Sequence, residues 1–238
     1  MAKHGQTAGT WTLAYDADFK RIEHYRKYPV MLPWVGKYYG KKYPKTIFIG
    51  ESPYLPEDST AQLKIDKWYN STQKKLNEEE LDYINLRVAP KGKIWSNPAT
   101  VMDKLGMEPP PKSDNIYEYF GYFNFFHRPA ERKGAGIAPS EKDCIVANEV
   151  FRENIAILKP KVVIFLSVKA WDNWDKWDKQ KRPNIEFDFA PHPGSRRWNM
   201  PTARYSFRKA GPLKGSEKFR RLIKAYVLPR KTRSRAAT

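Results

Sequence analysis

The chain has 238 residues, 40% apolar and 14% aromatic, enough to bury a substantial core, which excludes global disorder. Its formal charge of +18 draws it toward polyanions, and the excess is uneven: residues 193–238 carry 14 Lys and Arg against one acid, Glu217, a local net of +13. Cys144 is the only cysteine, which excludes an intrachain disulfide, a Cys-rich zinc site and a Cys-ligated iron–sulfur cluster.

No stretch approaches the ~18 consecutive apolar residues of a membrane span, and residues 1–18 lack the apolar run of a signal peptide. The expectation is a soluble, monomeric cytoplasmic protein, nucleoid-associated if bacterial, without a membrane partner. One domain is expected over 1–229, with its core at 45–226, an insertion at 56–115 and a basic disordered tail at 230–238.

In chain order, the first predicted strand is TIFIG at 46–50. The polar stretch 56–115 follows. It holds one predicted helix at 78–85 and another opening at Asn97-Pro98 and closing near Gly106, before Pro109, Pro110 and Pro111 break the chain. A second strand is predicted at 119–126, YFGYFNFF. Ser140 with Asp143 reads as a capping box, opening a helix whose apolar stripe includes Ile145, Val146, Val150, Ile155 and Leu158 and which Pro160 closes. The third strand is VVIFLS at 162–167, and the fourth is IEFDFA at 185–190. Trp171, Trp174 and Trp177 recur between them at helical spacing, which favours helix packing over base stacking. Continuous apolar runs such as TIFIG and VVIFLS suit strands covered on both faces. The predicted fold class is therefore α/β, with three α/β/α layers around a central four-stranded parallel sheet whose ligands gather at the carboxyl ends of the strands.

The informative residues stand at those ends. Gly50-Glu51-Ser52-Pro53-Tyr54 follows the first strand, with Glu57-Asp58 beyond it. Asn124-Phe125-Phe126-His127-Arg128-Pro129 closes the second, Lys159-Pro160-Lys161 leads into the third, and His192-Pro193-Gly194-Ser195 follows the fourth. Four segments in this order resemble the motifs of the uracil-DNA glycosylase superfamily, most of all its GEAPG-motif branch. That branch carries an iron–sulfur cluster, whose cysteines this chain lacks. Gly194 replaces the usual Ser, and the spacing from Asn124 to Arg128 is one residue short. Tyr54 replaces a Gly, as in the branch whose tyrosine obstructs groups on C5 of the base. The aromatic that would stack on the base falls near Lys64, so Trp68 or another residue must supply that face.

The resemblance implies base excision by hydrolysis of an N-glycosidic bond. Such cleavage develops positive charge on the sugar and negative charge on the departing base, largely on O2. A carboxylate, Glu51, would support the cation and align water, and a donor, His192, would steady the anion. The competing roles are a loop acid and a structural histidine, with His127 as the rival histidine. Asn124 would read the base with one amide, alongside Tyr54 and Ser52; its alternative is to tie a strand end to its loop. Arg196, Arg197 and Trp198 occupy the segment from which the family grips DNA and inserts a wedge, and surface ion pairing is the alternative for the arginines.

Two other functions stay open. A pocket rebuilt by the insertion would take a bulky modified cytosine of phage DNA, such as glucosylated hydroxymethylcytosine, and serve defence rather than repair. A non-catalytic nucleic-acid-binding module would keep the basic surface but lose Glu51, Asn124 and His192, which are present. Neither motifs nor composition call for a metal or cofactor, and no lysine stands in a recognisable nucleophile motif.

Overall fold

The computed structural model describes residues 9–87, 92–132, 135–207 and 211–229, without the side chains of 177 and 178. The expected basic tail at 230–238 lies outside the described residues.

Two short helices, α1 (Asp16–Phe19) and α2 (Glu23–Lys27), open the chain and lead to a two-residue strand β1, Trp34–Val35. Strand β2 (Thr46–Gly50) follows, then helices α3 (Ile65–Tyr69), α4 (Glu78–Ile84) and α5 (Lys93–Asp103). Next come β3 (Gly121–Asn124), α6 (Glu141–Leu158) and β4 (Val162–Phe165). Helices α7 (Val168–Asn173) and α8 (Trp177–Lys181), strand β5 (Glu186–Phe189) and helix α9 (Gly215–Leu222), continued by a π-turned stretch Ile223–Val227, complete the order.

The sheet runs β1-β3-β2-β4-β5, parallel except for β1, which pairs antiparallel with β3. The class is thus mixed α/β, but a four-stranded all-parallel sheet is corrected to five strands with an antiparallel edge. The correction comes from residues 10–39, outside the expected core. Trp34 and Val35 face Tyr122 and Gly121 across the ladder, and Phe19, Tyr25 and Tyr28 are buried.

Both faces of the sheet are covered, as the apolar runs require. Ile47, Ile49, Phe123, Val163 and Phe165 face one apolar cluster with residues of α6 and the N-terminal helices. Phe48, Tyr122, Val162 and Ile164 face a second with residues of α5 and α9. Trp171 stacks on Phe189 and Trp174 packs against Phe165 and Phe187, so the packing reading of these two tryptophans holds. The side chain of Trp177 lies outside the described residues.

The capping box of α6 is formed: Asp143 N–H donates to Ser140 Oγ, and Ser140 N–H donates to Asp143 Oδ2. Lys159, in the left-handed region at φ 47°, ends the helix before Pro160. Asp143 also anchors the loop after β3. Its carboxylate accepts from Arg128 Nε (2.9 Å), Arg128 Nη2 (2.8 Å) and the Tyr69 hydroxyl (2.6 Å). Burial would raise its pKa, but these donors and Ser140 outweigh that and hold it below the ordinary value. The arginine of the Arg-Pro pair is therefore a buried strut.

Helix α5 begins four residues before the expected Asn97-Pro98, so Pro98 sits inside it. Gly92, at φ 82°, supplies the turn that starts the helix, and its carbonyl accepts from Trp95 and Ser96. Asn97, expected at the helix opening, lies inside α5 and donates through Nδ2 to the Pro193 carbonyl (2.7 Å), tying α5 to the loop after β5. Arg87, just beyond α4, grips Asp16 with two hydrogen bonds of 2.7 and 2.8 Å and fastens the insertion to the N-terminal segment.

Candidate active site

Strand β2 lies centrally, with β3 on one side and β4 on the other, so the loops after these strands diverge around its carboxyl end. A crevice at such a switch of direction is the expected ligand site of an open α/β sheet. Backbone bonds fix the loops against one another there. Phe125 and Phe126 donate to the carbonyls of Gly50 and Glu51, Ala130 to that of Pro53, and Leu166 to that of Ile49.

A cavity of about 670 Å³ opens at this point. Glu51, Ser52, Tyr54, Asn124 and His192, drawn from the loops or ends of three strands, all line it. The insertion supplies much of the remaining wall, through Asp82, Tyr83, Asn85, Lys93 and Trp95.

Glu51 is 15% exposed and held on two sides. The Ser167 hydroxyl donates to its Oε2 at 2.8 Å while accepting from Ala170 N–H, so the N-cap of α7 also fixes the carboxylate. Lys169 Nζ stands 3.6 Å from Oε1 and donates to the Ile137 carbonyl. Gly136, at φ 75°, closes over the same carboxylate. A Cβ there would lie 2.4 Å from Oε1, so the approach requires glycine as the φ does.

His192 accepts from Gly194 N–H at Nδ1 (3.1 Å), which leaves Nε2 to carry the proton of the neutral ring. Burial lowers its pKa from the ordinary histidine value, with the charge of Glu51 pulling the other way. The ring is thus suited to donate a hydrogen bond while neutral. Asn124 is buried, and its Oδ1 accepts from the Tyr122 hydroxyl at 3.0 Å. The Ser52 hydroxyl, also buried, has no hydrogen-bond partner among the described residues. For Tyr54, burial and then the charge of Glu51 raise the phenol pKa, so it stays neutral.

Glu51 and His192 also line a second cavity of about 390 Å³, together with Lys169, Ser195 and Arg197. They are the residues that the two linings share. Among the described residues, no three His, Cys, Asp or Glu side chains gather so as to hold a metal ion, and no helix is long and apolar enough to cross a membrane.

Two expectations are corrected, Trp198 as the wedge and Trp68 as the stacking aromatic. Trp198 is 3% exposed and packs against Phe219, with ring centroids 5.6 Å apart. It belongs to the core and cannot enter a base stack without leaving it. Arg196 and Arg197 beside it are exposed, as a phosphate-gripping role needs. Trp68 is stacked on Tyr28 at 4.6 Å and bonded through Nε1 to the His127 carbonyl, away from the cavity, so it is not the stacking aromatic. His127, the rival histidine, is buried against His24 at 4.5 Å and does not line the cavity.

Sequence reasoning missed Trp95, Tyr122, Ser167 and Lys169. Tyr122 was legible in principle, because residues two apart on a strand share a face and Asn124 was already singled out. No family model matches this chain, and the search of curated proteins found no significant relative.

Proposed function

We propose that this protein is a monofunctional DNA glycosylase that takes an extrahelical uracil or modified pyrimidine into the 670 Å³ cavity and hydrolyses its N-glycosidic bond, leaving an abasic site. The observation that carries the reading is the meeting of Glu51, Asn124 and His192 on one cavity wall. They come from the ends of three strands or the loops after them, far apart in sequence, and each was singled out by its motif alone. A three-layered uracil-DNA glycosylase-like fold is the architecture that goes with this reading.

In this scheme Glu51 supports the developing sugar cation and aligns water, held in aim by Ser167. Neutral His192 donates from Nε2 to the departing base, where negative charge gathers. Asn124 reads the base edge, and the Ser52 hydroxyl and the rings of Tyr54 and Trp95 bound the space around it. Arg196 and Arg197 contact DNA phosphates. The wedge passes from Trp198 to Met200, a 43% exposed apolar side chain whose Sδ accepts from Arg196 Nε.

A second reading has its own support. Asp82, Tyr83, Asn85, Lys93 and Trp95 of the insertion give the cavity polar groups and aromatic faces beyond what a bare pyrimidine ring needs. A sugar-bearing pyrimidine, such as glucosylated hydroxymethylcytosine, would use them.

The test is excision from oligonucleotides carrying uracil, thymine mismatches, or cytosines with hydroxymethyl and glucosyl-hydroxymethyl groups at C5. The expected product is an intact strand cut only after alkali or an abasic endonuclease. Release of no base from any of them, with DNA binding retained, would instead leave a binding module on this fold. Borohydride-trapped protein–DNA adducts would refute monofunctional chemistry and point to Lys169.

A further inference from the structure

Asn124 cannot read a base edge reliably unless something decides which end of its amide faces the ligand. The torsion that swaps the amide's oxygen and nitrogen is broad and nearly two-fold, so an untethered side chain samples both ends. The two pyrimidine types differ in this very respect. Uracil presents an N3 donor beside an O4 acceptor, whereas cytosine presents an N3 acceptor beside an N4 donor. An amide that offers only its NH2 end meets the O4 acceptor of uracil favourably and the N4 donor of cytosine unfavourably, whereas a turning amide accommodates both.

Tyr122 and Asn124 stand two residues apart on β3, so their side chains rise from the same face of the sheet. The Tyr122 hydroxyl reaches forward to donate to Asn124 Oδ1 at 3.0 Å, and Nδ2 has no acceptor among the described residues. Gly50, paired with Asn124 across the ladder, makes the contact possible: a Cβ there would lie 2.0 Å from the Tyr122 hydroxyl and 2.2 Å from Oδ1. The phenol is itself immobilised. Trp95 of the insertion packs on its ring with centroids 4.5 Å apart, and Trp95 is in turn set edge-on against Tyr117 at 4.8 Å. Burial, with Tyr54 adding to it, keeps the Tyr122 phenol protonated, so its O–H is there to donate, and the bond it makes to Asn124 runs in that direction.

We propose that Tyr122 is a specificity-determining positioning residue, which fixes the Asn124 amide with its oxygen turned to the protein and its NH2 end offered to the base. The insertion reaches base choice through the same contact, since Trp95 holds the ring that holds the amide. This inference rests on the glycosylase reading for its consequence, but the lock itself is a property of the free protein.

The experiment compares wild type with Tyr122→Phe, which keeps the ring and deletes the donor. Two quantities are read: the side-chain amide resonances of Asn124, identified by their loss in Asn124→Asp, and the ratio of single-turnover excision rates for uracil and 5-hydroxymethylcytosine in matched oligonucleotides. The lock predicts one sharp Asn124 amide pair in wild type and a doubled or broadened pair in Tyr122→Phe. It also predicts a rate ratio that falls toward one by about tenfold or more, the scale of one hydrogen bond whose partner is otherwise left unpaired. An unchanged resonance, or an unchanged ratio alongside a uniform loss of rate, overturns it. If wild type excises neither base, the glycosylase reading is in trouble on its own account. The lock is then judged by the resonances and by NMR titration with free uracil and free cytosine, where an equal affinity ratio in the two proteins overturns it. A Tyr122→Phe protein too unstable to study is replaced by Trp95→Leu, which loosens the phenol without touching the hydroxyl and must shift both readouts in the same direction.

Discussion

Replacing Glu51 by Gln removes one unit of charge and almost nothing else. The amide is nearly isosteric and still offers an oxygen to the Ser167 hydroxyl, so the 2.8 Å contact that aims the side chain survives. Two unit charges about 4 Å apart at an effective dielectric near 20 interact by about 4 kcal/mol, which sets the largest benefit the carboxylate can give a full sugar cation. The cation is only partly developed in the transition state, and Lys169, 3.6 Å from Oε1, offsets some of the field. The expected loss is therefore 10²–10³-fold in the single-turnover rate, within the range of general acid–base assistance. Binding of a duplex with a stable abasic analogue should stay within about twofold, because the cation is absent there. Ser167→Ala should cost less, about tenfold, since it loosens the aim and keeps the charge. A Glu51→Gln rate within threefold of wild type on the base that the oligonucleotide panel selects would refute the assignment. Near-equal losses in Glu51→Gln and Ser167→Ala would show that geometry, not charge, is what the residue supplies.

Trp198→Ala should behave as a core deletion, costing about 3–5 kcal/mol and lowering the melting temperature by about 10 °C, whereas Met200→Ala should leave melting unchanged and slow excision from duplex more than from single-stranded substrate; the reverse pattern would restore Trp198 as the wedge. Arg196→Ala with Arg197→Ala should weaken binding to DNA of every sequence alike and flatten the log–log salt slope by about 0.9 for each phosphate no longer neutralised; an unchanged slope moves the DNA-binding face elsewhere. Burial lowers the pKa of His127 to about 3 and also depresses that of the neighbouring His24, so between pH 6.5 and 3 the unfolded chain takes up protons that the folded one refuses. Stability is then full above pH 7 and declines as the pH falls, by about 2 kcal/mol from His127 alone at pH 5; urea melts of wild type and His127→Phe at pH 7 and 5 should show the decline shrinking in the variant, and equal declines would refute it.

Where local chemistry and tertiary demand agreed, the sequence was readable. β2 and β4 are short apolar runs bounded by turn residues, and both sit within two residues of expectation. Glu51 and His192 were singled out because each stands just past a predicted strand, and Asn124 because it lies near the end of one; the fold brings all three into the lining of one cavity. The failures share one cause, the override of local signals by packing. Trp34 and Val35 make a strand too short to show any period, and only pairing with β3 defines it. Pro98 reads as a first-turn proline, yet the helix starts earlier because Gly92 provides the turn and α5 packs against α9. A tryptophan in a basic loop reads as exposed, but Trp198 turns inward onto Phe219 while its arginine neighbours stay out. The insertion offered no motif at all, although it lines a large part of the cavity, because its contributions are single side chains on short helices.

That Glu51 and His192 line both cavities bears on how the proposed reaction would end. If the bond is cut beside these two residues, the freed base would lie in the larger space, lined by the insertion, and the sugar–phosphate chain would lie beside Lys169 and Arg197 in the smaller one. Two products held in different cavities would not need to leave in a fixed order. Free base should rebind while abasic DNA is still held, so the two would inhibit independently rather than compete, and a variant that clings to DNA could still turn over its base pocket.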